Sequence, residues 1–73
     1  MTFDEAFATV SKNRNVYMAL PTWKDDVKIF CQFPDEKSKM THKYLYVDSR
    51  FGRVPWLPTQ VELFSDKWKV AAI

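Results

Sequence analysis

The sequence predicts an α+β fold: an N-terminal helix packed on a small antiparallel β-sheet, with a short C-terminal helix before the last strand. Three observations predict it. Apolar side chains recur at helical spacing in the first ten residues, short runs in the middle alternate at period two, and a Thr-x-x-Glu signal near the end opens a second helix just ahead of a last alternating run. Helix, strands, short helix, strand is an α+β order. The connections are too short for the long crossovers that parallel pairing requires, so the sheet is expected to be antiparallel.

Each element has its own signal. For a helix over residues 2–12, Thr2 and Glu5 form a capping box, in which the hydroxyl accepts from the Glu5 amide and the carboxylate reaches back. Phe3, Ala6, Phe7 and Val10 stand at i, i+3, i+4 and i+7, one apolar stripe. Lys12 and Arg14 follow near the negative end of the helix dipole, and Asn13 or Asn15 is expected to end the helix in the left-handed conformation. Residues 16–20 (VYMAL) read as a strand closed by Pro21, and PTWKDD reads as a turn. Residues 27–33 (VKIFCQF) form the clearest strand: Val27, Ile29, Cys31 and Phe33 point one way, Lys28, Phe30 and Gln32 the other. Phe30 is the odd apolar residue on a polar face. Residues 34–43 read as a polar loop. Residues 44–49 read as a strand with Tyr44 and Tyr46 opposite Leu45 and Val47. Phe51-Gly52 is a turn that uses the chain's one glycine.

The stretch RVPWLPTQVELF (53–64) holds one indole between two prolines. The residue before a proline is pushed into the extended region, so Val54 and Leu57 are extended. Thr59 and Glu62 form a second capping box and start a helix over roughly residues 60–65. The expected result is a rigidly held Trp56 beside a helix N-terminus whose free amides favour an anion. Residues 67–73 alternate Trp68 and Val70 against Lys67 and Lys69 and form the last strand, with Trp68 in the core.

At 73 residues the chain is read as one domain, 1–73. A lone core of this size rarely supplies more than about 3–5 kcal/mol, so small domains usually need a staple. One cysteine, Cys31, excludes an internal disulfide, and one histidine, His42, argues against a metal. Association with further copies is the remaining staple. The composition fits, since 47% hydrophobic and 16% aromatic residues exceed what one small core absorbs. A net charge of +2 is too weak to argue for nucleic acid. No apolar run approaches the ~20 residues that span a bilayer, and the acidic start MTFDEAF is unlike a secretory signal. The unpaired cysteine agrees with a reducing compartment.

No catalytic set, metal site or cofactor is expected. Cys31 lies mid-strand on the apolar face as a small hydrophobe, and His42 sits in a lysine-rich loop with Lys37, Lys39 and Lys43. A single glycine excludes a glycine-rich phosphate loop, and Asp25-Asp26 supply too few ligands for a metal. The aromatic surplus has two readings. One is a subunit interface. The other is a stacking platform for a planar ligand such as a nucleobase, with Arg50, Arg53 or the Thr59 helix end holding phosphate. Phe30, Tyr44 and Tyr46 can share its face. Both readings hold together where a small-molecule site forms between subunits.

Trp56-Leu57-Pro58-Thr59, followed by Leu63, Ser65-Asp66, Trp68 and Val70, resembles the W-x-P-S/T … L-x-x-D-W-x-V ending of the second type of Thoeris anti-defence family, small proteins of phages and prophages. The start is similar too, with an amphipathic helix from Phe3 to Val10 and then a strand leading to Trp23. The sequence departs from the family near Asn15, where a glycine is usual, at Leu20-Pro21-Thr22, where an arginine is usual, and at Glu62, which replaces an aspartate. The resemblance implies a non-enzymatic homo-oligomer, often a tetramer, in the cytoplasm of the infected bacterium. It implies that the protein binds and sequesters a cyclic nucleotide-derived immune signal, glycocyclic ADP-ribose or a cyclic dinucleotide, without cleaving it. The candidate contacts are Trp23 and Trp56 for stacking, Tyr44 for a ring edge or hydroxyl contact, Arg53 for phosphate, and Thr59 with Glu62 for ribose or base polar groups. Arg50 is a further phosphate candidate. The alternative is a protein–protein interaction module that uses the same aromatic surface with no small ligand; a single-stranded nucleic-acid binder is a third reading, which the near-neutral charge opposes.

Overall fold

The helix stripe and the strand alternation meet on one side of a single sheet. A computed structural model describes residues 1–34 and 42–73. Helix α1 spans Phe3–Val10, followed by strands β1 (Val16–Ala19), β2 (Lys28–Gln32), β3 (Tyr44–Ser49) and β4 (Gly52–Pro55), helix α2 (Gln60–Leu63) and strand β5 (Lys69–Ala72). The five strands form one antiparallel sheet in the order β4-β3-β2-β1-β5. The fold is therefore α+β, as the sequence predicts.

Register decides which residues share a face. Met18 lies opposite Ile29 and Val70, Ile29 opposite Val47, and Val47 opposite Val54. Directly opposed side chains in an antiparallel pair point the same way. This apolar face takes the stripe of α1, and the core is Ala6 and Val10 of the helix with Met18, Leu20, Ile29 and Trp68. The other face carries Lys28 opposite Asp48, Phe30 opposite Tyr46, and Gln32 opposite Tyr44. No helix lies on it among the described residues.

Both capping boxes form. The Thr2 hydroxyl accepts from the Glu5 amide while Glu5 Oε1 accepts from the Thr2 amide, and Thr59 and Glu62 repeat the arrangement. The end of α1 differs from expectation. No non-glycine residue among those described has a positive φ, and Ser11 caps the helix in the right-handed region, with its amide donating to the Phe7 carbonyl. The asparagines are not needed as left-handed stops because Ser11 and Lys12 close the last turn with their own amides. The polar loop read over 34–43 lies, for residues 35–41, outside the described residues, and with it Lys37 and Lys39. Lys43, read as solvated, reaches back across the fold: its ammonium donates to the Ser11 carbonyl at 2.8 Å and lies 5.1 Å from the Phe33 ring. An ammonium near the last carbonyls of a helix is favourably placed against the dipole.

Pro55 and Trp56 sit at a sheet edge. Pro55 is the last residue of the edge strand β4, where a missing N–H disrupts no inner ladder. The Trp56 amide extends the pairing by donating to the Leu45 carbonyl at 3.0 Å. At the other edge, the Trp68 amide donates to the Met1 carbonyl and the Met1 ammonium donates to the Trp68 carbonyl at 2.8 Å. Among the described residues no helix is long and apolar enough to cross a membrane.

Candidate functional site

The six residues singled out by the sequence fall into two groups. The first lies on the helix side of the sheet. Trp23, Trp56 and Trp68 meet edge to face, with ring centroids 5.3 Å apart for Trp23–Trp68, 6.1 Å for Trp56–Trp68 and 6.3 Å for Trp23–Trp56. Phe3 of α1 adds contacts at 5.6 Å to Trp68 and 6.4 Å to Trp56. Edge-to-face packing satisfies the ring quadrupoles and locks the rings together. Trp56 therefore does not stand free between its prolines. It is half-buried against the core of its own chain, as is Trp23, and Trp68 is fully buried. The Trp68 indole N–H donates to the Glu62 carbonyl at 2.8 Å, which fastens α2 to this cluster.

Thr59 and Glu62 close on each other at the start of α2. The Thr59 amide donates to Glu62 Oε1 at 2.7 Å and the Glu62 amide donates to the Thr59 hydroxyl at 3.3 Å. The anion-friendly corner expected there is taken by the chain's own carboxylate, and α2 has only four residues. One oxygen of Glu62 serves the cap, so the second oxygen and the Thr59 hydroxyl proton are what this corner can offer a ligand.

The second group lies on the uncovered face. Tyr44 and Arg53 border a depression of about 250 Å³ together with Gln32, Tyr46, Val54 and Pro55. The Arg53 guanidinium lies 5.8 Å from the Tyr46 ring and its Nε is 3.3 Å from Asp48 Oδ2. The ion pair is well exposed, a setting in which such pairs contribute about 0–1 kcal/mol. Arg50 is engaged nearby at the β3–β4 turn. Its Nε is 3.4 Å from Asp26 Oδ2 and its amide donates to the same oxygen at 3.1 Å; that amide bond, chiefly, holds the Asp26 carboxyl below the usual range.

Three further rings on this face were not singled out as site residues. Tyr17 of β1, Phe30 of β2 and Tyr46 of β3 make a continuous row with Tyr44: centroids are 5.8 Å apart for Tyr17–Phe30, 5.5 Å for Phe30–Tyr46 and 6.5 Å for Tyr46–Tyr44. Phe30 and Tyr46 are nearly parallel, 17° apart. The alternation in β2 and β3 puts Phe30, Tyr44 and Tyr46 on one face. Tyr17 was findable from the same rule, since it alternates with Val16 and Met18. Lys28 lies 5.2 Å from the Tyr17 ring. Burial pushes the Tyr46 phenol up, so it stays a neutral donor at ordinary pH.

Cys31 faces the helix side. Its thiol donates weakly to the Gln32 carbonyl at 3.8 Å, and burial pushes its pKa up, away from the thiolate that nucleophilic chemistry uses. Among the described residues no group of His, Cys, Asp or Glu is placed to hold a metal ion.

No curated protein and no solved structure matches the chain. The sequence profile of the Thoeris anti-defense 2-like domain matches residues 1–71.

Proposed function

The chain belongs to the Thoeris anti-defense 2-like family, and from that premise we propose that it binds and sequesters a cyclic nucleotide-derived immune signal, glycocyclic ADP-ribose or a cyclic dinucleotide, without cleaving it. Membership carries the Thoeris anti-defense role; the ligand and the mode of action are the proposal. The observation that supports it most directly is the pairing of flat rings with an exposed guanidinium, Tyr44 and Tyr46 beside Arg53, at an open depression. Rings take the base, and the guanidinium takes phosphate in a two-pronged hydrogen bond.

In this reading Trp23 and Trp56 offer their half-exposed indoles for stacking, Tyr44 and Arg53 hold a ring edge and a phosphate, and Thr59 with Glu62 offers hydroxyl and carboxylate to ribose or base. Trp23 and Trp56 lie toward the helix side, Tyr44 and Arg53 on the open face. A ligand that touches both groups therefore touches two copies of the chain, which agrees with a homo-oligomer. The rigid strand and indole cluster lower the ordering cost of binding, which a sequestering protein needs.

Calorimetry against glycocyclic ADP-ribose and a panel of cyclic dinucleotides tests this. The expected result is saturable binding, with the ligand recovered intact after the protein is heat-denatured. Absence of binding by every member of the panel, or recovery of a cleaved product, overturns it. One observation favours the protein-interaction reading instead. Leu57 ahead of α2, Val61 within it and Phe64 at its C-cap are 87%, 82% and 85% exposed. Failure of the ligand panel would turn attention to those exposed side chains.

A further inference from the structure

Phe30 is a phenyl ring with no polar tip, on a sheet face that no helix covers among the described residues. It sits at the middle of the row Tyr17–Phe30–Tyr46–Tyr44, which crosses three adjacent strands. A row of rings on an open sheet, flanked by cations, is the arrangement that stacks unpaired bases, because every base has a π-face. Two depressions flank the row. The larger, about 490 Å³, is lined in part by Phe30, Tyr46, Lys28, Asp48, Ser49 and Arg53. The smaller, about 250 Å³, holds Tyr44 and Gln32 and shares Tyr46 and Arg53 with the first. Small-molecule sites commonly enclose about 300–1,000 Å³, so the larger one accommodates a nucleoside and the smaller one a fragment of it.

Building on the proposed nucleotide-derived ligand, we propose that the open face is its docking floor and that it takes a two-lobed nucleotide. One base lies on the near-parallel Phe30–Tyr46 pair, the phosphate sits on Arg53 at the ridge between the depressions, and the second lobe lies against Tyr44 and Gln32. Charge supports this occupant. Lys28 and Arg53 stand at the larger depression beside the carboxylates of Asp26 and Asp48, and the Arg53 side chain is 71% exposed, open to an anion. Arg53 pairs with Asp48 through Nε, and a guanidinium carries five N–H donors, more than that one contact uses. Asp48 and Ser49 can accept from ribose hydroxyls. The indoles of Trp23 and Trp56, by contrast, are already packed edge to face on each other and on Trp68.

The test is NMR titration of the full chain with adenosine, adenosine 5′-monophosphate and cyclic di-adenosine monophosphate, alongside the Phe30→Ser and Arg53→Gln variants. The mononucleotide is expected to shift the ring signals of Phe30 and Tyr46 and to receive saturation transfer from them. The cyclic dinucleotide is expected to shift Tyr44 as well. Phe30→Ser should weaken the cyclic dinucleotide at least tenfold. Arg53 is well exposed, so Arg53→Gln leaves folding aside as an explanation; it should weaken the monophosphate more than adenosine, and added salt should erode the difference. Shifts confined to the indole signals of Trp23 and Trp56, or equal losses for monophosphate and adenosine in Arg53→Gln, overturn the docking floor while leaving sequestration standing. No binding by these probes and none by the calorimetry panel overturns both.

Discussion

Two residues show how much one position decides here. Gly52 has φ +103°, a conformation that L side chains rarely adopt, and a Cβ placed there would meet nothing within 4 Å. Any penalty for a side chain is thus backbone strain alone, roughly 1–2 kcal/mol. Gly52→Ala is expected to lose about that much in urea unfolding, with an unchanged slope against denaturant; a neutral result would mean that the β3–β4 turn relaxes. Trp68 is the opposite case, constrained by everything around it. It is 2% exposed, contacts Phe3, Trp23 and Trp56, and anchors α2 through its indole N–H. Trp68→Phe keeps a ring but leaves the Glu62 carbonyl without that donor, and about 1–3 kcal/mol of stability is expected to go, with earlier hydrogen exchange in α2. Equal exchange in both proteins would show that α2 is held by its cap instead.

At the scale of elements, both helices are too short to stand on propensity and rely on their caps. Replacing a capping Ser, Thr, Asp or Asn by Ala typically costs about 1 kcal/mol, so Thr59→Ala should lower stability by that order and fray α2 first. The cap on α1 gives a pH dependence. Glu5 titrates below its ordinary range because its carboxylate accepts from the Thr2 amide and then from the Thr2 hydroxyl. A depressed folded-state pKa gives stability that is fully present above the ordinary value and lost as pH falls through the depressed one. Protection of the first-turn amides of α1 should therefore fade on acidification in that window, and should be insensitive to pH there in Glu5→Gln. These elements were legible because their signals are local. Tyr44–Ser49 was read to the residue, since Tyr44 and Tyr46 alternate cleanly with Leu45 and Val47. The last strand begins two residues later than its alternation suggests, because Trp68 is paired with Met1 at the opposite end of the sequence. The site was legible where alternation governs it, on Phe30, Tyr44 and Tyr46. It was not legible at Trp56, whose neighbours Phe3, Trp23 and Trp68 come from three separate parts of the chain; the prolines announce a rigid indole but not what it rests on.

Among the described residues the molecule is a sheet with its helices on one side. Helix α1 and the indole cluster bury Met18 and Ile29 completely, while the far face keeps its row of rings half-exposed. The last strand pairs with the first rather than with its predecessor, so both ends of the chain lie at one edge and Trp68 closes the core. This arrangement concentrates a small chain's apolar burial in one layer and leaves further apolar side chains outside it, the ring row on the open face and Leu57, Val61 and Phe64 in and beside α2. Exposed apolar surface of this kind, in a domain with a thin core, is what a second copy would stabilise. Association adds to folding stability by mass action, so an oligomer melts at a temperature that rises with protein concentration, whereas a monomer does not. Light scattering behind size exclusion is accordingly expected to give a multiple of the single-chain mass, and the melting temperature is expected to climb over a hundredfold rise in concentration. Leu57→Asp with Val61→Asp should lower the mass if the exposed apolar side chains in and beside α2 are the seam, and the ring row would then remain free for ligand in each copy. Scattering at the mass of one chain, with a melting temperature independent of concentration, would remove the seam between copies and confine any ligand to a single face.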